Sequence, residues 1–235
     1  MKLLAEPKDP VETERPETKQ ILKSISFYIL IFILTFIGAG RIDYWQGWVF
    51  NALNIIFILL SYFLLPPELI KERLKFMREN IKKWDKIYLI ISTPNSFCML
   101  IISILDGGRF GWEPRIPISV VLFGIIMFSI GQAIVLWAKK VNKFFLSVAC
   151  ILEDQIVCKV GPYRFVRHPG YLGGSLYMIA TPLVLGSFWG LIPATIAVIL
   201  LIRRTYLEDK MLQAELPGYI GYTKEVKYRL LPKIW

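Results

Sequence analysis

Apolar residues run along this chain in blocks of membrane length, separated by short polar stretches. Ser24–Gly40, Tyr44–Leu65, Ile87–Leu105 and Ile118–Ala138 contain no charged residue. A spanning helix needs about 20 mostly apolar residues, so the pattern predicts four membrane helices. A further uncharged run, Tyr171–Ile202, is 32 residues long. As one helix it would extend about 48 Å against a hydrocarbon core of about 30 Å. Gly186-Ser187-Phe188-Trp189-Gly190 in its middle predicts a hairpin of two short helices, the second continuing past Arg203. Gly38-Ala39-Gly40-Arg41 with Tyr44, Trp45 and Trp48 reads as a tight turn carrying an aromatic belt. Asp106-Gly107-Gly108 marks the start of a predicted polar loop. Pro66-Pro67 stops the second helix. Within 68–86, dense in lysine and arginine, Ile70, Leu74, Met77 and Ile81 recur in steps of four and three, and Trp84 and Tyr88 continue the pattern. That spacing makes one apolar face and predicts a helix lying in the membrane interface.

Charge sets the sidedness. Of the 28 lysines and arginines, 25 fall on one side of this layout and 3 on the other. Such asymmetry predicts six membrane segments with both termini cytoplasmic, or four if the last hairpin is re-entrant. The fold class is therefore all-α, a polytopic membrane helix bundle with interfacial and C-terminal cytoplasmic helices. Residues 1–23 read as a cytoplasmic tail, 24–138 as four membrane helices with the interfacial helix, and 139–235 as a core that gathers the polar chemistry. No apolar signal core stands near the start, so cleavage of a leader is not expected.

Composition agrees: 55% of the 235 residues are hydrophobic, too many for an ordinary soluble domain. The net charge of +10 is distributed as membrane topology predicts, so a nucleic-acid partner is not expected. Three cysteines without CxxC spacing and a single histidine predict neither a disulfide framework nor a metal site. Transport has little support, because no span before the hairpin carries a central charge and no broken-helix pair is repeated.

Candidate chemistry concentrates in Val160-Gly161-Pro162-Tyr163-Arg164-Phe165-Val166-Arg167-His168-Pro169-Gly170-Tyr171, which holds the one histidine. Gly161-Pro162 marks a turn, and Pro169-Gly170 before an apolar run places a helix start near Tyr171. The first amides of that helix can hold an anion, with Arg164 and Arg167 adding positive charge. Gly173 and Gly174 leave room for a ligand or another helix. A basic membrane-surface loop with a packing glycine pair reads equally well from these residues. Arg204 and Glu208, four apart, share a helix face in the arginine-first order that supports a helix less well. Charged groups where a helix meets the membrane are candidates for function, unless the helix has simply emerged into water.

The order Asn142-x-Phe144-Phe145, Gly161-Pro162-Tyr163-Arg164, Arg167-His168-Pro169-x-Tyr171-x-Gly173, Glu208-Asp209-x-x-Leu212 and Tyr219-x-x-Tyr222 resembles the isoprenylcysteine carboxyl methyltransferases and their phospholipid methyltransferase relatives. Tyr228-Arg229-Leu230-Leu231-Pro232 resembles their ending, and the likeness covers roughly 139–235. The resemblance implies S-adenosylmethionine as cofactor. It implies cofactor contacts from Gln155, Ile156, Val157, Cys158, Tyr163, His168, Pro169, Gly170, Tyr171 and Glu208, and a substrate-side, catalytic role for Arg204. Asp209 stands where glutamate is common, and Gln155 where prenylcysteine enzymes can have histidine, which loosens the substrate. The expected partner is a lipophilic acceptor entering from the membrane: a prenylcysteine-type carboxylate first, a phospholipid amine or a small thiol as alternatives. Membrane sterol reductases using NADPH share an arginine-histidine-proline-x-tyrosine segment and form a competing class. A membrane adaptor without enzymatic activity is the other.

Overall fold

The computed structural model describes residues 18–65, 81–112, 114–152 and 154–235. These form seven α-helices and, among the described residues, no strand. The helices are α1 (Thr18–Ala39), α2 (Trp45–Leu64), α3 (Lys83–Ile104), α4 (Ile118–Val141), α5 (Pro169–Val184), α6 (Leu191–Glu215) and α7 (Tyr219–Glu225). A π-helical turn, Leu105–Phe110, extends α3, and a 3-10 turn, Gly161–Arg164, precedes α5. Of the tail expected at 1–23, residues 1–17 lie outside the described residues, and 18–23 belong to α1 rather than to a tail. The proline stop and residues 68–80 of the expected interfacial helix also lie outside the described residues. Trp84 and Tyr88, assigned to the interfacial face, instead belong to α3, which opens at Lys83 rather than Ile87.

Among the described residues, three helical stretches are long and apolar enough to cross a membrane: Trp45–Leu64, Lys83–Phe110 and Ile118–Val141. The six predicted segments are not confirmed by this measure. The described apolar part of α1 is only Ser26–Ala39. α5 has 16 residues, and α6 becomes charged from Arg203 onward. The predicted hairpin is present, with its turn between Val184 and Leu191 and Gly186 at φ +75°. Large apolar residues such as Ile55, Phe63, Ile90, Phe123 and Ile126 face outward, as a lipid-facing surface requires. The interior is filled by Phe50, Leu100, Phe128 and Val184.

The polar loop expected to start at Asp106–Gly108 begins later, because these residues form the π turn, with Asp106 and Gly108 buried. A Cβ on Gly107 would stand 1.9 Å from the Leu185 carbonyl oxygen, and one on Gly108 2.6 Å from Ala39 Cβ. Missing side chains let three backbones close together there, where the glycines read in sequence as the start of a polar loop. The buried Asp106 carboxylate accepts the Ser187 hydroxyl at 2.6 Å.

The closest helix pair is α4 with α5. A Cβ on Gly173 would meet the Gly131 carbonyl oxygen at 2.4 Å. Gly173 therefore serves helix packing, one of its two predicted uses, whereas Gly174 borders a cavity. Gly173→Leu is expected to cost about 1–3 kcal/mol by overpacking, seen as a lowered Tm in detergent. An unchanged Tm would mean the two helices can part without loss.

Candidate active site

After α4 the chain runs from Asn142 to Val160 without regular secondary structure. Local bonds hold this strip. The Asn142 side-chain oxygen accepts the Phe144 amide at 3.0 Å, and its nitrogen donates to the Tyr163 hydroxyl at 3.1 Å. The Leu152 amide donates to the Gln155 side chain at 2.9 Å, and Lys159 pairs with Glu225. At Gly161 the chain turns with φ +59°, a conformation glycine adopts without strain. α5 then starts at Pro169, two residues earlier than predicted.

Asp209, fully buried on α6, is the hub of this end of the bundle. Arg167 grips it with two bonds, Nε to Oδ1 at 2.7 Å and Nη2 to Oδ2 at 2.9 Å. Arg229 Nε donates at 2.8 Å, Gln213 at 2.9 Å and the Tyr219 hydroxyl at 3.0 Å, while His168 Nε2 lies 3.2 Å away. Burial alone would raise this carboxyl's pKa. Hydrogen bonds from His168, Arg167 and Arg229 outweigh that and hold it well below the usual carboxylate range. Arg167 also donates to the Val226 and Lys227 carbonyls, and the Arg167 and His168 amides bond the Tyr228 and Arg229 carbonyls. The C-terminal segment is thereby strapped to the start of α5.

Two sequence expectations change. Arg167 is committed to Asp209 and is not available to a bound anion, while Arg164 is exposed. The Tyr171 and Leu172 amides both bond the His168 carbonyl, so those donors at the helix start are already used.

Glu208, beside the hub, accepts the Tyr171 hydroxyl and lies 3.8 Å from His168 Nδ1. The His168 ring stacks on Tyr171 at 5.7 Å. These groups border a cleft of about 90 Å³ between the 142–158 strip and α5, α6 and α7. Gln155, Ile156, Val157, Cys158, Tyr163, His168, Gly170, Tyr171 and Glu208 all line it. Pro169 does not; it is fully buried in the first turn of α5. Burial raises the pKa of Tyr163 and of the Cys158 thiol, which keeps both walls neutral.

A second cavity, of about 450 Å³, meets the cleft at Phe145, Leu146, Gly170 and Tyr171. It reaches between α1, α3, α5 and α6, and abuts an apolar cavity of about 530 Å³ bordered by α1, α2 and α3. Arg204 lines the second cavity, not the cleft. Its guanidinium lies over the rings of Tyr88 and Tyr171, at 4.6 and 5.2 Å. It pairs with Asp85, which is fully buried: Nε stands 2.8 Å from Oδ1 but off-line for a hydrogen bond, and Nη2 donates to Oδ2 at 3.1 Å. Nη2 also donates to the Ser147 carbonyl at 2.7 Å, and Asp85 accepts the Ala149 amide at 2.7 Å. Arg204 and Glu208 thus share a helix face but lie on the two sides of Tyr171.

Two cavities meeting at one aromatic wall, one polar and one opening among membrane helices, suit a reaction between a water-borne and a lipid-borne reactant. Residues 119–216 match the family described as phospholipid methyltransferase. That segment is a domain of the phospholipid methyltransferase family. No curated protein matches the chain.

The methyltransferase domain runs from the start of α4 to the end of α6 and contains Glu208, Arg204 and the whole shared wall. With its spanning-length helices, the chain is an integral membrane protein. Asp85 and Arg229 lie outside the domain yet complete its charge pairs, and Tyr219, also outside it, adds a hydrogen bond to Asp209. Sequence reading missed Asp85 altogether. It stands in the Lys82-Lys83-x-x-Lys86 stretch, where an acid looks like surface charge, and its partner is 119 residues away.

Proposed function

We propose that the cleft binds S-adenosylmethionine and that the protein methylates a lipophilic acceptor lying in the adjoining cavities. The shared wall of Phe145, Gly170 and Tyr171 carries this reading, because it puts a polar and an apolar chamber in direct contact. The donor set fits a cationic nucleoside. Glu208 offers a carboxylate acceptor, Gln155 and His168 add polar groups, and Tyr163, Ile156 and Val157 supply flat or apolar walls. About 90 Å³ is below the roughly 300–1,000 Å³ of ordinary ligand pockets, so the 142–158 strip has to move outward as the ligand enters.

The cofactor, when bound, would supply a methyl group activated by a sulfonium, whose carbon–sulfur bond breaks to leave a neutral thioether as the acceptor forms the new bond. The protein's part is alignment and exclusion of water. Glu208 accepts hydrogen bonds from an amine or hydroxyl of the nucleoside, with Tyr171 fixing its carboxylate. Arg204 Nη1, which makes no hydrogen bond among the described residues, faces the acceptor while Asp85 and Ser147 fix the other nitrogens. A prenylcysteine-type carboxylate needs no base and suits that guanidinium, and its hydrocarbon tail occupies the chambers between α1, α2 and α3. The cytoplasmic face is then the cleft end, where the basic residues gather.

A phospholipid amine is the second reading. Asp85 already balances the charge of Arg204, which lowers its pull on an anion, and the matched family bears a phospholipid name. This acceptor must lose a proton before attack, with His168 or Glu208 as the base.

Transfer of labelled methyl to fractionated membrane lipids, prenylated cysteine analogues and small thiols decides between acceptors. Glu208→Gln is expected to weaken S-adenosylmethionine binding at least about tenfold, as loss of a charge-assisted hydrogen bond implies. If the purified protein ignores both this molecule and its demethylated product by calorimetry, yet binds NADPH, the proposal fails in favour of a reductase.

A further inference from the structure

The cavity of about 530 Å³ bordered by α1, α2 and α3 is not apolar throughout. Asn51 and Asn54 line it from α2, Ser96 from α3, and Tyr177 and Thr181 from α5. Inside a membrane, such side chains commonly bond across to a neighbouring helix. These do not. Asn51, Asn54, Ser96 and Thr181 each donate at 2.8 Å to the carbonyl four residues back on their own helix. That bond uses a donor and leaves every side-chain oxygen able to accept. Among the described residues, the Asn51 and Asn54 oxygens accept no hydrogen bond, and the Tyr177 hydroxyl has no hydrogen-bond partner.

Burial keeps water from meeting this need. Asn51 is 6% exposed and Thr181 4%. An amide oxygen or a phenol left unpartnered in hydrocarbon is destabilising, and a plain hydrocarbon tail filling the chamber would leave both unmet. Position ties the chamber to the reaction site. Tyr177 borders both this chamber and the cavity that holds Arg204. Along α5 it stands about 9 Å beyond the Tyr171 wall, and Thr181 about 15 Å beyond it. Exposed Ile29, Ile55 and Leu59 form the outer edge, so the chamber opens sideways toward lipid.

We propose that the lipophilic acceptor carries a hydroxyl part-way along its chain and that Asn51 and Tyr177 select for it, which rests on the methyltransferase reading of the cleft. The hydroxyl lies about 9–15 Å along the chain from the atom that receives the methyl group. A hydroxyl both donates and accepts, which matches an amide oxygen and a phenol facing one space. A carbonyl on the chain would satisfy Tyr177 alone, and an ammonium only the oxygens. The apolar walls around them, Phe50, Leu100 and Phe128, hold the rest of the chain.

Stearate and 12-hydroxystearate share a carboxylate end and a chain length and differ by one mid-chain hydroxyl. Binding of each to the full chain in detergent is measured by calorimetry for the parent, Asn51→Leu and Tyr177→Phe. Partitioning into micelles is common to all three proteins and cancels when the ratio of the two affinities is compared. A preference for the hydroxylated chain in the parent that falls at least about fivefold in either variant supports the assignment. The ligand-free Tm reports folding, and Tyr177→Phe, which removes a single oxygen, carries the comparison if Asn51→Leu does not fold. A ratio within about fivefold of the parent's in every folded variant overturns it. S-adenosylmethionine titrated into the same samples keeps the two readings apart. Unchanged ratios in a protein that binds it overturn the hydroxyl alone. A hydroxyl preference in a protein that ignores it retains the lipid site and overturns the methyltransferase reading.

Discussion

Asp209→Ala is expected to abolish the folded C-terminal half of this protein. The carboxylate takes two bonds from Arg167 and one each from Arg229, Gln213 and Tyr219, and removing it strands a buried guanidinium. Breaking a buried pair from one side costs about 3–5 kcal/mol, a large share of a typical domain's stability. Loss of the monodisperse peak in detergent, or a collapse of Tm, checks this. Asp209→Asn keeps the volume and some hydrogen bonds, so its loss should be smaller but of the same sign. The native protein carries the same signature against pH. The folded carboxyl titrates below the roughly 3.9 of a free aspartate, so its stabilisation is complete above about pH 4 and fades as pH falls further. A Tm that stays level between pH 5 and 3 would mean the hub contributes nothing.

Asp85→Asn carries the second large effect, and it is a kinetic one. Asp85 holds Arg204 by two nitrogens and also anchors the Ala149 amide, tying α3 to α6 and to the strip over the cleft. Without the carboxylate the guanidinium is free to turn away from the acceptor. Small displacements of a positioning group cost about 10²-fold in rate. Turnover of the best acceptor should fall by about that factor, while affinity for S-adenosylmethionine, which we propose is set across the Tyr171 wall by Glu208, stays within error. Arg204→Lys should mimic it, because an ammonium cannot serve Asp85, Ser147 and an acceptor at once in the fork geometry. Equal loss of cofactor binding in Asp85→Asn would show that the pair is merely structural.

The two variants separate what their residues revealed in the sequence. Asp209 stood beside Glu208 in a recognisable pair, and His168 and Tyr171 stood in a recognisable segment, so the residues of the cleft were legible. Their division of labour was not. Arg167 read as charge for an anion and Asp209 only as the second acid of a family motif, yet they bind each other and carry the fold. The reason is that two opposite charges 42 residues apart carry no pattern in sequence; only the α5–α6 hairpin brings them to 2.7 Å. Asp106 misled in the other direction, since Asp-Gly-Gly favours a loop locally, whereas close approach of Ala39 and Leu185 makes it helix.

What the sequence by itself determined was everything carried by local chemistry. Apolar run lengths set the helices, the glycine-rich break in the 32-residue run set the hairpin, and Gly161-Pro162 and Pro169 set the turn and the helix start. Tertiary structure decided which charges neutralise each other and that Arg204 and Glu208 serve separate chambers. Backbone preference and hydrophobicity act over a few residues and leave a trace in every window. Ion pairs and cavities depend on distances between helices, which no window contains.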